Sequence, residues 1–300
     1  MDSITITPPG RLAKNTAVQS FRLDRLATLY FFHPLRQRLP ETSSRRIPIL
    51  MYHSISETAG PRRPAYYDTQ TSPAVFAEQM RFLRDNGYRA LCIGEVLSQL
   101  QSGEKSNEKC VAITFDDGYR DFYTHAFPVL AECNFTATVY LPTSYIGSTA
   151  VQFKGKDCLT WDEVRYLRGA GIHFGSHSVT HPQLRLCKSS EVEYELRCSK
   201  ETIENELGDE VRSFSYPYAF PESHTHFKQA LRLCLQECGY ANGVSTILGT
   251  MQNQKERYFL KRLPVSSADD TSLFRAKLEG GYDWLHPFQY IAKMAKSGVQ

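Results

Sequence analysis

The chain has 300 residues, of which 22% are charged and 41% are hydrophobic. This composition is ordinary for a globular protein and excludes a disordered or collagen-like chain. The formal net charge of +3 is small, and no block of lysine and arginine argues for a nucleic-acid partner. Eight scattered cysteines without a C-x-x-C pair indicate reduced packing residues rather than a disulfide framework.

Residues 1–45 are predicted to form an N-terminal arm with one helix, and residues 46–300 the main domain. The apolar run 26–32 is shorter than a membrane span and has neither the basic start nor the cleavage site of a secretory signal. We therefore expect a cytoplasmic protein. The helix either packs on the main domain or makes a peripheral membrane contact through the nearby Arg22, Arg25, Arg36 and Arg38.

From Ile47 onwards, short apolar runs alternate with helical patterns, which is typical of repeated βα units. The predicted strands cover residues 47–53, 88–92, 110–115, 135–141, 171–176, 211–216, 240–245 and 258–263. The predicted helices between them cover residues 73–86, 94–100, 120–133, 160–170, 190–207 and 223–238.

Cap residues mark the starts of three predicted helices. Pro73 at a first helical position follows a serine, and Thr160 and Ser190 are each followed three residues later by glutamate, the spacing of a capping box. Seven or eight strands with intervening helices predict a (β/α) barrel in the α/β class. An open doubly wound sheet is the alternative, which the lack of a glycine-rich loop after the first strand weakens.

Two adjacent carboxylates follow the strand 110–115. Active sites of such barrels gather at the carboxyl ends of the strands. Gly118 allows a sharp turn that brings Asp116 and Asp117 to the same site. A cation would stabilise one carboxylate as a ligand and leave the other free as a general base. In isolation, a solvated Asp-Asp-Gly turn is the more common explanation.

Two histidines follow the strand 171–176. The i,i+4 spacing of His177 and His181 places both imidazoles on one face of a helical turn, as in zinc proteases. Alone, such a pair is more often a surface or capping feature. Together with the Asp-Asp-Gly segment it supplies two histidines and one aspartate, and three protein ligands leave a position open for water, as in catalytic zinc sites.

These motifs resemble those of the NodB-type polysaccharide deacetylases, the carbohydrate esterase family 4. Residues 114–118 match the family motif Thr-Phe-Asp-Asp-Gly, residues 177–181 match His-Ser/Thr-x-x-His, and the similarity covers most of residues 47–265. The resemblance implies a distorted (β/α) barrel that removes N-acetyl groups from a sugar or polysaccharide. It also implies Zn²⁺ or another divalent metal as the cofactor.

The resemblance assigns a role to each matched residue. Asp116 would be the general base. The metal ligands would be Asp117, His177 and His181. Metal-bound water would attack the acetamide carbonyl, and the backbone amide of Tyr218, in the Tyr-Pro-Tyr segment, would help to bind the resulting oxyanion.

Two features depart from the pattern of many members. Ser215 stands where they carry an arginine that orients the base, so this support is missing or comes from elsewhere, with Arg262 as the candidate. The general acid is either His53 or His286. The strand 48–53 matches the poly-N-acetylglucosamine deacetylase branch, in which the early histidine serves as the acid, and we therefore favour His53.

Other functions stay open. A different C–N amide hydrolase on the same barrel would close a tyrosine-containing loop over a small molecule. A catalytically weak carbohydrate-binding protein would account for Ser215 but would not need the free base Asp116. If the protein is a deacetylase, a precursor sugar linked to a carrier and a finished polysaccharide are equally plausible candidates for its substrate. The candidates for stacking on sugar rings are Tyr66, Tyr67, Tyr119, Tyr145 and Trp161.

Overall fold

The computed structural model describes residues 22–38, 46–57, 69–102 and 107–297. Among these residues the strands are β1 (Ile49–Tyr52), β2 (Ser54–Ile55), β3 (Gln70–Thr71), β4 (Tyr88–Leu91), β5 (Lys109–Phe115), β6 (Thr138–Leu141), β7 (Gln152–Phe153), β8 (Lys156–Asp157), β9 (His173–Ser176), β10 (Ser213–Ser215), β11 (Asn242–Leu248) and β12 (Leu260–Pro264). The α-helices are α1 (Leu23–Ala27), α2 (His33–Arg38), α3 (Pro73–Asp85), α4 (Ile93–Ser102), α5 (Phe127–Glu132), α6 (Trp161–Gly169), α7 (Ser189–Leu207), α8 (Thr225–Glu237), α9 (Thr271–Leu278) and α10 (Leu285–Ser297).

Seven parallel strands close into a barrel. Around the barrel they follow the order β1, β12, β11, β10, β9, β6 and β5, and β5 pairs back with β1. In register, Tyr52 of β1 lies opposite Phe115 of β5, and Leu50 lies opposite Leu263 of β12. The predicted (β/α) barrel is therefore confirmed. The open doubly wound alternative is wrong because β5 returns to β1.

The eighth strand of the sheet, β4, lies outside this ring. It pairs in parallel with Lys109–Ala112, the first half of β5, while β1 pairs with β5 from Ala112 onwards. Two small sheets were not predicted from the sequence: β2 with β3, and the antiparallel hairpin of β7 and β8. The helices α9 and α10 were not predicted either.

Side chains of the barrel strands alternate between the interior and the surface covered by helices, as the strand period of two requires. In β5, Val111, Ile113 and Phe115 pack in the large core that also contains helix residues. Ala112 belongs to a second cluster, inside the barrel. Thr114 follows on the same inner face, so the interior becomes polar towards the carboxyl ends of the strands. This gradient places the polar groups where the site is expected.

Gly175 of β9 shows how tightly the barrel interior is filled. A Cβ atom at this position would lie 2.5 Å from the ring of Tyr140, which is fully buried. The hydroxyl of Tyr140 forms a 2.8 Å hydrogen bond with Ser213 Oγ of β10. A glycine is therefore required in β9 so that one tyrosine can fill the space between β6 and β10 below the site.

The N-terminal helix packs on the main domain. α1, the π-helical turn Thr28–Phe32 and α2 form one continuous helical segment. The ring of Phe32 stacks on Trp284 with centroids 4.3 Å apart, and Trp284 Nε1 donates to Thr28 Oγ1 at 3.0 Å. The hydroxyl of Tyr282 donates to Asp24 Oδ2 at 2.7 Å. These contacts agree with the first of the two placements considered from the sequence.

The outward face of this helix is apolar. Its exposed side chains are the apolar Leu23, Tyr30, Phe31 and Leu35, followed by the polar Gln37 and Arg38 at the end of α2. No helix in the described part of the chain has the length and apolar character needed to cross a membrane. Peripheral contact with a membrane surface stays a prediction.

Three predicted helix starts can be compared with the structure. Ser72 Oγ caps α3, with Pro73 at the first helical position, and the capping box of Thr160 with Glu163 opens α6. The predicted box at Ser190 is wrong: α7 begins at Ser189, and Glu191 accepts from the Lys188 backbone N–H at 2.8 Å. The predicted helix 120–133 is instead a π-helical segment followed by the short α5.

Candidate functional site

Two carboxylates follow the end of β5. Asp116 continues the alternation from Thr114, so its side chain faces the barrel interior. Asp117 and Gly118 then adopt left-handed conformations, with φ of +70° and +60°. This turn carries the Asp117 carboxylate to the same site, and both carboxylates are buried. A left-handed aspartate is uncommon, and such backbone strain clusters at functional sites.

Asp117, His177 and His181 form a buried cluster. The Nε2 atoms of His177 and His181 lie 3.5 and 3.2 Å from Asp117 Oδ1. One ligand atom from each residue lies within 4.8 Å of the others. Two imidazoles and a carboxylate at this spacing match the three protein ligands of catalytic zinc sites. The structure thus brings together the three residues predicted as metal ligands.

The donor atoms of this cluster fit a divalent cation. His177 Nδ1 lies 2.8 Å from the carbonyl oxygen of Ser215, so Nδ1 carries the proton and Nε2 presents its lone pair to the cluster. Asp117 Oδ1 is buried, no donor among the described residues is in hydrogen-bonding geometry with it, and a cation would supply the missing partner. Burial lowers the pKa of His181, which favours the neutral, ligating form.

Asp116 is held by Arg262 and Ser215. Arg262 Nη1 and Nη2 donate to the two carboxylate oxygens at 2.8 and 2.7 Å, and Ser215 Oγ donates to Oδ1 at 3.0 Å. Arg262 is fully buried, and its Nε donates to the backbone carbonyl of Ser245. Burial of Asp116 opposes ionisation, but the Arg262 charge lowers its pKa, so the carboxylate stays charged. Arg262 therefore supplies the guanidinium that position 215 lacks.

His53, at the end of β1, faces Asp116. Its Nε2 lies 4.0 Å from Asp116 Oδ2, and its side chain is 18% exposed, so a ligand can reach it. Burial lowers the pKa of His53, and the charges of Asp116 and Asp117 oppose this shift. His286 lies elsewhere, with Nε2 2.9 Å from Glu222 Oε1. The structure brings His53 to the two carboxylates, whereas His286 contacts none of the predicted site residues within the described ranges.

Tyr218, after β10, lies beside the metal-ligand cluster. Its backbone is left-handed, with φ of +60°, and its ring centroid lies 4.6 Å from that of His181. The Tyr218 backbone N–H donates to no acceptor among the residues that the structure describes. A free N–H in this position is available to an oxygen of a ligand.

Comparisons with known proteins identify the family. The family model described as polysaccharide deacetylase matches residues 103–242. YxkH of Bacillus subtilis (strain 168), described as a polysaccharide deacetylase, is 32% identical over 234 residues, which cover 78% of this chain and 76% of that protein. The chain belongs to the polysaccharide deacetylase family. It is therefore a hydrolase that acts on carbon–nitrogen bonds other than peptide bonds.

Other relatives of this deacetylase share part of its sequence or its fold. The poly-β-1,6-N-acetyl-D-glucosamine N-deacetylase of Escherichia coli (strain K12) is 32% identical over 139 residues, which are 43% of this chain and 20% of that protein. The structure of Streptococcus pyogenes deacetylase PplD in complex with acetate covers 78% of this chain and 99% of its own, with a TM-score of 0.68 and 25% identity. IcaB of Ammonifex degensii has a TM-score of 0.63 at 20% identity, covers 78% of this chain and 97% of its own, and supports the fold alone.

Lys154 is a residue of the deacetylase site that sequence analysis missed. It stands at the tip of the β7–β8 hairpin, with φ of +52°. Its Nζ lies 3.4 Å from Asp117 Oδ2, and 4.4 and 5.4 Å from the ring centroids of Phe153 and Tyr218. A lone lysine before Gly155 belongs to no recognisable sequence motif, so the proximity of Lys154 to Asp117 is visible only in the folded chain.

Of the aromatic residues expected to stack on sugar rings, two are in the wrong environment. Tyr119 and Trp161 are 6% and 8% exposed, so their rings are part of the core and present no face to a sugar. Tyr145 is half-buried, with its ring centroid 4.3 Å from that of Phe153. Tyr66 and Tyr67 lie outside the described residues. Tyr218, which is 47% exposed, is the better-placed aromatic ring beside the cluster.

Proposed function

We propose that this deacetylase removes N-acetyl groups from an N-acetylated sugar or polysaccharide with a divalent metal, in the first instance zinc, held by Asp117, His177 and His181. The observation that carries the proposal is a pair of adjacent buried carboxylates in two different environments. Asp117 lies against two imidazoles, whereas Asp116 is bonded to Arg262. One carboxylate is arranged to ligate a cation and the other to move a proton.

A divalent metal bound there would polarise the amide carbonyl and lower the pKa of water. Asp116 is the base that takes the proton of the attacking water. Bonds from Ser215 and Arg262 fix the plane of its carboxylate and keep it charged. A base fixed in this way needs no reorganisation when the proton moves.

His53 and Tyr218 complete the proposed chemistry. His53 lies near Asp116 and is accessible, so it is placed to protonate the nitrogen of the leaving amine. The free backbone N–H of Tyr218 is placed to donate to the oxygen that becomes negatively charged when the carbonyl is attacked. Both roles are supported by position in the site and by the family resemblance.

The substrate class is proposed from the relatives. Several of them are named poly-β-1,6-N-acetyl-D-glucosamine N-deacetylases, although this chain spans only a part of each. We therefore propose a polymer or oligomer of N-acetylglucosamine as the substrate. A sugar that is linked to a carrier presents the same acetamide and remains the second substrate to be tested.

The test is acetate release from β-1,6- and β-1,4-linked N-acetylglucosamine oligomers by zinc-loaded protein. We expect Asp116→Asn to lower kcat by about 10²- to 10⁴-fold, the usual contribution of a general base. Asp85→Asn, a change of the same kind at an exposed carboxylate on α3, serves as the matched control and should keep full activity. The proposal fails if the zinc-loaded wild type releases no acetate, or if Asp116→Asn matches it.

The alternatives are separated by the same assay. A different C–N hydrolase would turn over small cyclic amides and leave the oligomers intact. A carbohydrate-binding protein would bind oligosaccharide without turnover. The missing arginine at Ser215 favoured this last function, and that support disappears because Arg262 bonds both oxygens of Asp116.

A peripheral membrane contact through the N-terminal helix is part of the proposal. Its support is the outward apolar face, with Tyr30 and Phe31 at 77% and 62% exposure and arginines at the end of α2. Amphipathic surfaces of this kind bind anionic bilayers. The wild type should float with vesicles containing phosphatidylglycerol, and a Tyr30→Ser/Phe31→Ser variant should not. Equal flotation of both proteins, or none of either, rejects this contact.

A further inference from the structure

The loop that carries His181 has a strained backbone. Ser178 and His181 both have left-handed conformations, with φ of +69° and +58°. Such conformations persist only when the surrounding structure holds them in place. The position of His181 in the site therefore depends on the contacts that the rest of the loop makes.

The middle of this loop is held on two sides: the Ser144 backbone N–H donates to the Val179 carbonyl oxygen at 2.9 Å, and a buried carboxylate on α7 binds the loop from the opposite side. Glu195, on α7, accepts from the backbone N–H groups of Val179 at 2.7 Å and Thr180 at 2.9 Å through one oxygen. Its other oxygen accepts from Thr180 Oγ1 at 2.6 Å. Glu195 is 7% exposed. A buried carboxylate with three donors is strongly bound to its partners, because charged acceptors form the strongest hydrogen bonds.

The start of the loop is held separately, by hydroxyl groups. Ser176 Oγ accepts from the Ser178 backbone N–H at 3.1 Å and pairs with Ser199 Oγ at 2.6 Å. Ser178 Oγ accepts from the His181 backbone N–H at 3.0 Å. These bonds order the ends of the loop, but only Glu195 connects its centre to α7 by side-chain hydrogen bonds among the described residues.

Packing does not replace these bonds on the outer side of the loop. A pocket of about 350 Å³ lies there, lined by Thr180, Pro182, Cys187, Ser190, Glu191, Tyr194 and Glu195. This pocket leaves unfilled space between the loop and α7. Hydrogen bonds to Glu195, rather than close packing, decide where the loop lies on this side.

We infer that Glu195 is a positioning residue for the metal centre, acting through the loop on His181. This inference rests on the proposed function, in that it takes Asp117, His177 and His181 as the metal ligands. Groups that orient a ligand from outside the coordination sphere typically change metal affinity by 10- to 100-fold when they are removed. Glu195 orients His181 through the backbone rather than through its imidazole ring.

The experiment compares two variants of nearly equal size. Glu195→Met keeps the volume of the side chain and removes both acceptor oxygens, and with them all three hydrogen bonds. Glu195→Gln keeps a carbonyl oxygen for the two backbone N–H groups, and its amide can donate to Thr180 Oγ1. Glu193→Met, on the same helix but exposed and paired with Arg197, is the control for methionine itself.

The readouts are the zinc dissociation constant, measured against a chromophoric chelator, and the visible spectrum of the cobalt-loaded protein. We expect Glu195→Met to weaken zinc binding by about 10- to 100-fold and to alter the cobalt spectrum. Glu195→Gln should stay within about threefold of the wild type, and Glu193→Met should match it. A folded Glu195→Met protein with the wild-type constant and spectrum overturns the inference.

A milder variant covers the case in which Glu195→Met does not fold. Thr180→Val removes only the hydroxyl donor, and we expect it to weaken zinc binding by about three- to tenfold. An unchanged constant in Thr180→Val would then overturn the inference. Failure of the wild type itself to bind zinc is a different result, because it rejects the proposed metal centre and not the role of Glu195 alone.

Discussion

Arg262 bonds both carboxylate oxygens of Asp116 from a strand on the opposite side of β1, with both side chains almost completely buried. Many relatives are expected to orient this aspartate with an arginine at the position of Ser215. Here the serine hydroxyl keeps one bond to Asp116, and the guanidinium comes from β12. The contact is the same, although it comes from a different part of the chain.

Replacing Arg262 should damage both stability and activity. Arg262→Met leaves the Asp116 charge buried without its partner, which typically costs about 3–5 kcal/mol. Arg262→Lys keeps the charge but loses the bidentate hydrogen bond to Asp116. We therefore expect a smaller loss of stability than in Arg262→Met, and a kcat that is still reduced at least tenfold. Thermal unfolding and acetate release measure the two effects. A fully active Arg262→Met would show that Asp116 needs no orienting cation.

Much of the fold could be predicted because it depends on local patterns. Alternating apolar residues in β5 and the turn at Gly118 are readable in the sequence. Parallel strands place their carboxyl ends at one edge, so Asp116 and His177 could be expected to lie close together. The barrel geometry sets the distance between Asp116 and His177, and the need for a base and a metal ligand explains why these positions are an aspartate and a histidine.

The rest depends on contacts between distant segments. Glu195 lies on a helix that reads as an ordinary amphipathic one, and nothing in its neighbours marks it as a partner of the loop 178–181. Lys154 reaches Asp117 only because a two-residue turn ends the β7–β8 hairpin. The position of β4 outside the barrel is equally non-local, because strand patterns do not tell which strands close a barrel.

Removing the metal should destabilise the protein. A ligand that binds only the folded state stabilises it by about 2.7 kcal/mol at a concentration of 100 times its Kd. Chelation should therefore lower Tm and abolish activity, and zinc should restore both. His181→Ala should remove the zinc-dependent rise in Tm, whereas His226→Ala, at an exposed position on α8, should keep it. A Tm that is independent of zinc in the wild type contradicts the proposed centre.

The choice between His53 and His286 can be tested with the leaving group. His53→Asn should lower kcat on an N-acetylglucosamine oligomer by about 10²- to 10⁴-fold, because an amine must be protonated to leave. The same variant should lose much less activity on an aryl acetate, whose phenolate leaves without a proton. His286→Asn should behave like the wild type on both substrates. Equal losses on amide and ester in His53→Asn would argue against its role as an acid.

The contact of the N-terminal helix with the barrel should contribute less stability in acid. Burial opposes ionisation of Asp24, but hydrogen bonds from Arg22 and Tyr282 hold its pKa below the usual 3.8. A lowered pKa in the folded state contributes stability above the unfolded value, and this contribution disappears as the pH falls through the folded value. Asp24→Asn should therefore be less stable than the wild type at pH 7, and this difference should shrink as the pH falls below 3.8. A difference in Tm that stays constant from pH 7 to well below 3.8 would contradict this linkage.

Lys154 should weaken metal binding, although it lies in the site. Its ammonium group is 3.4 Å from Asp117 Oδ2 and therefore competes with a cation for the same carboxylate. The side chain is 43% exposed, so solvent screens the repulsion, and Lys154→Met should tighten zinc binding only about two- to fivefold. Lys156→Met, on the same hairpin, is the control because its Nζ donates to Ser54 and Ser56 instead. Weaker zinc binding in Lys154→Met would show that this lysine supports the centre, through its contacts with the neighbouring rings, more than it repels the ion.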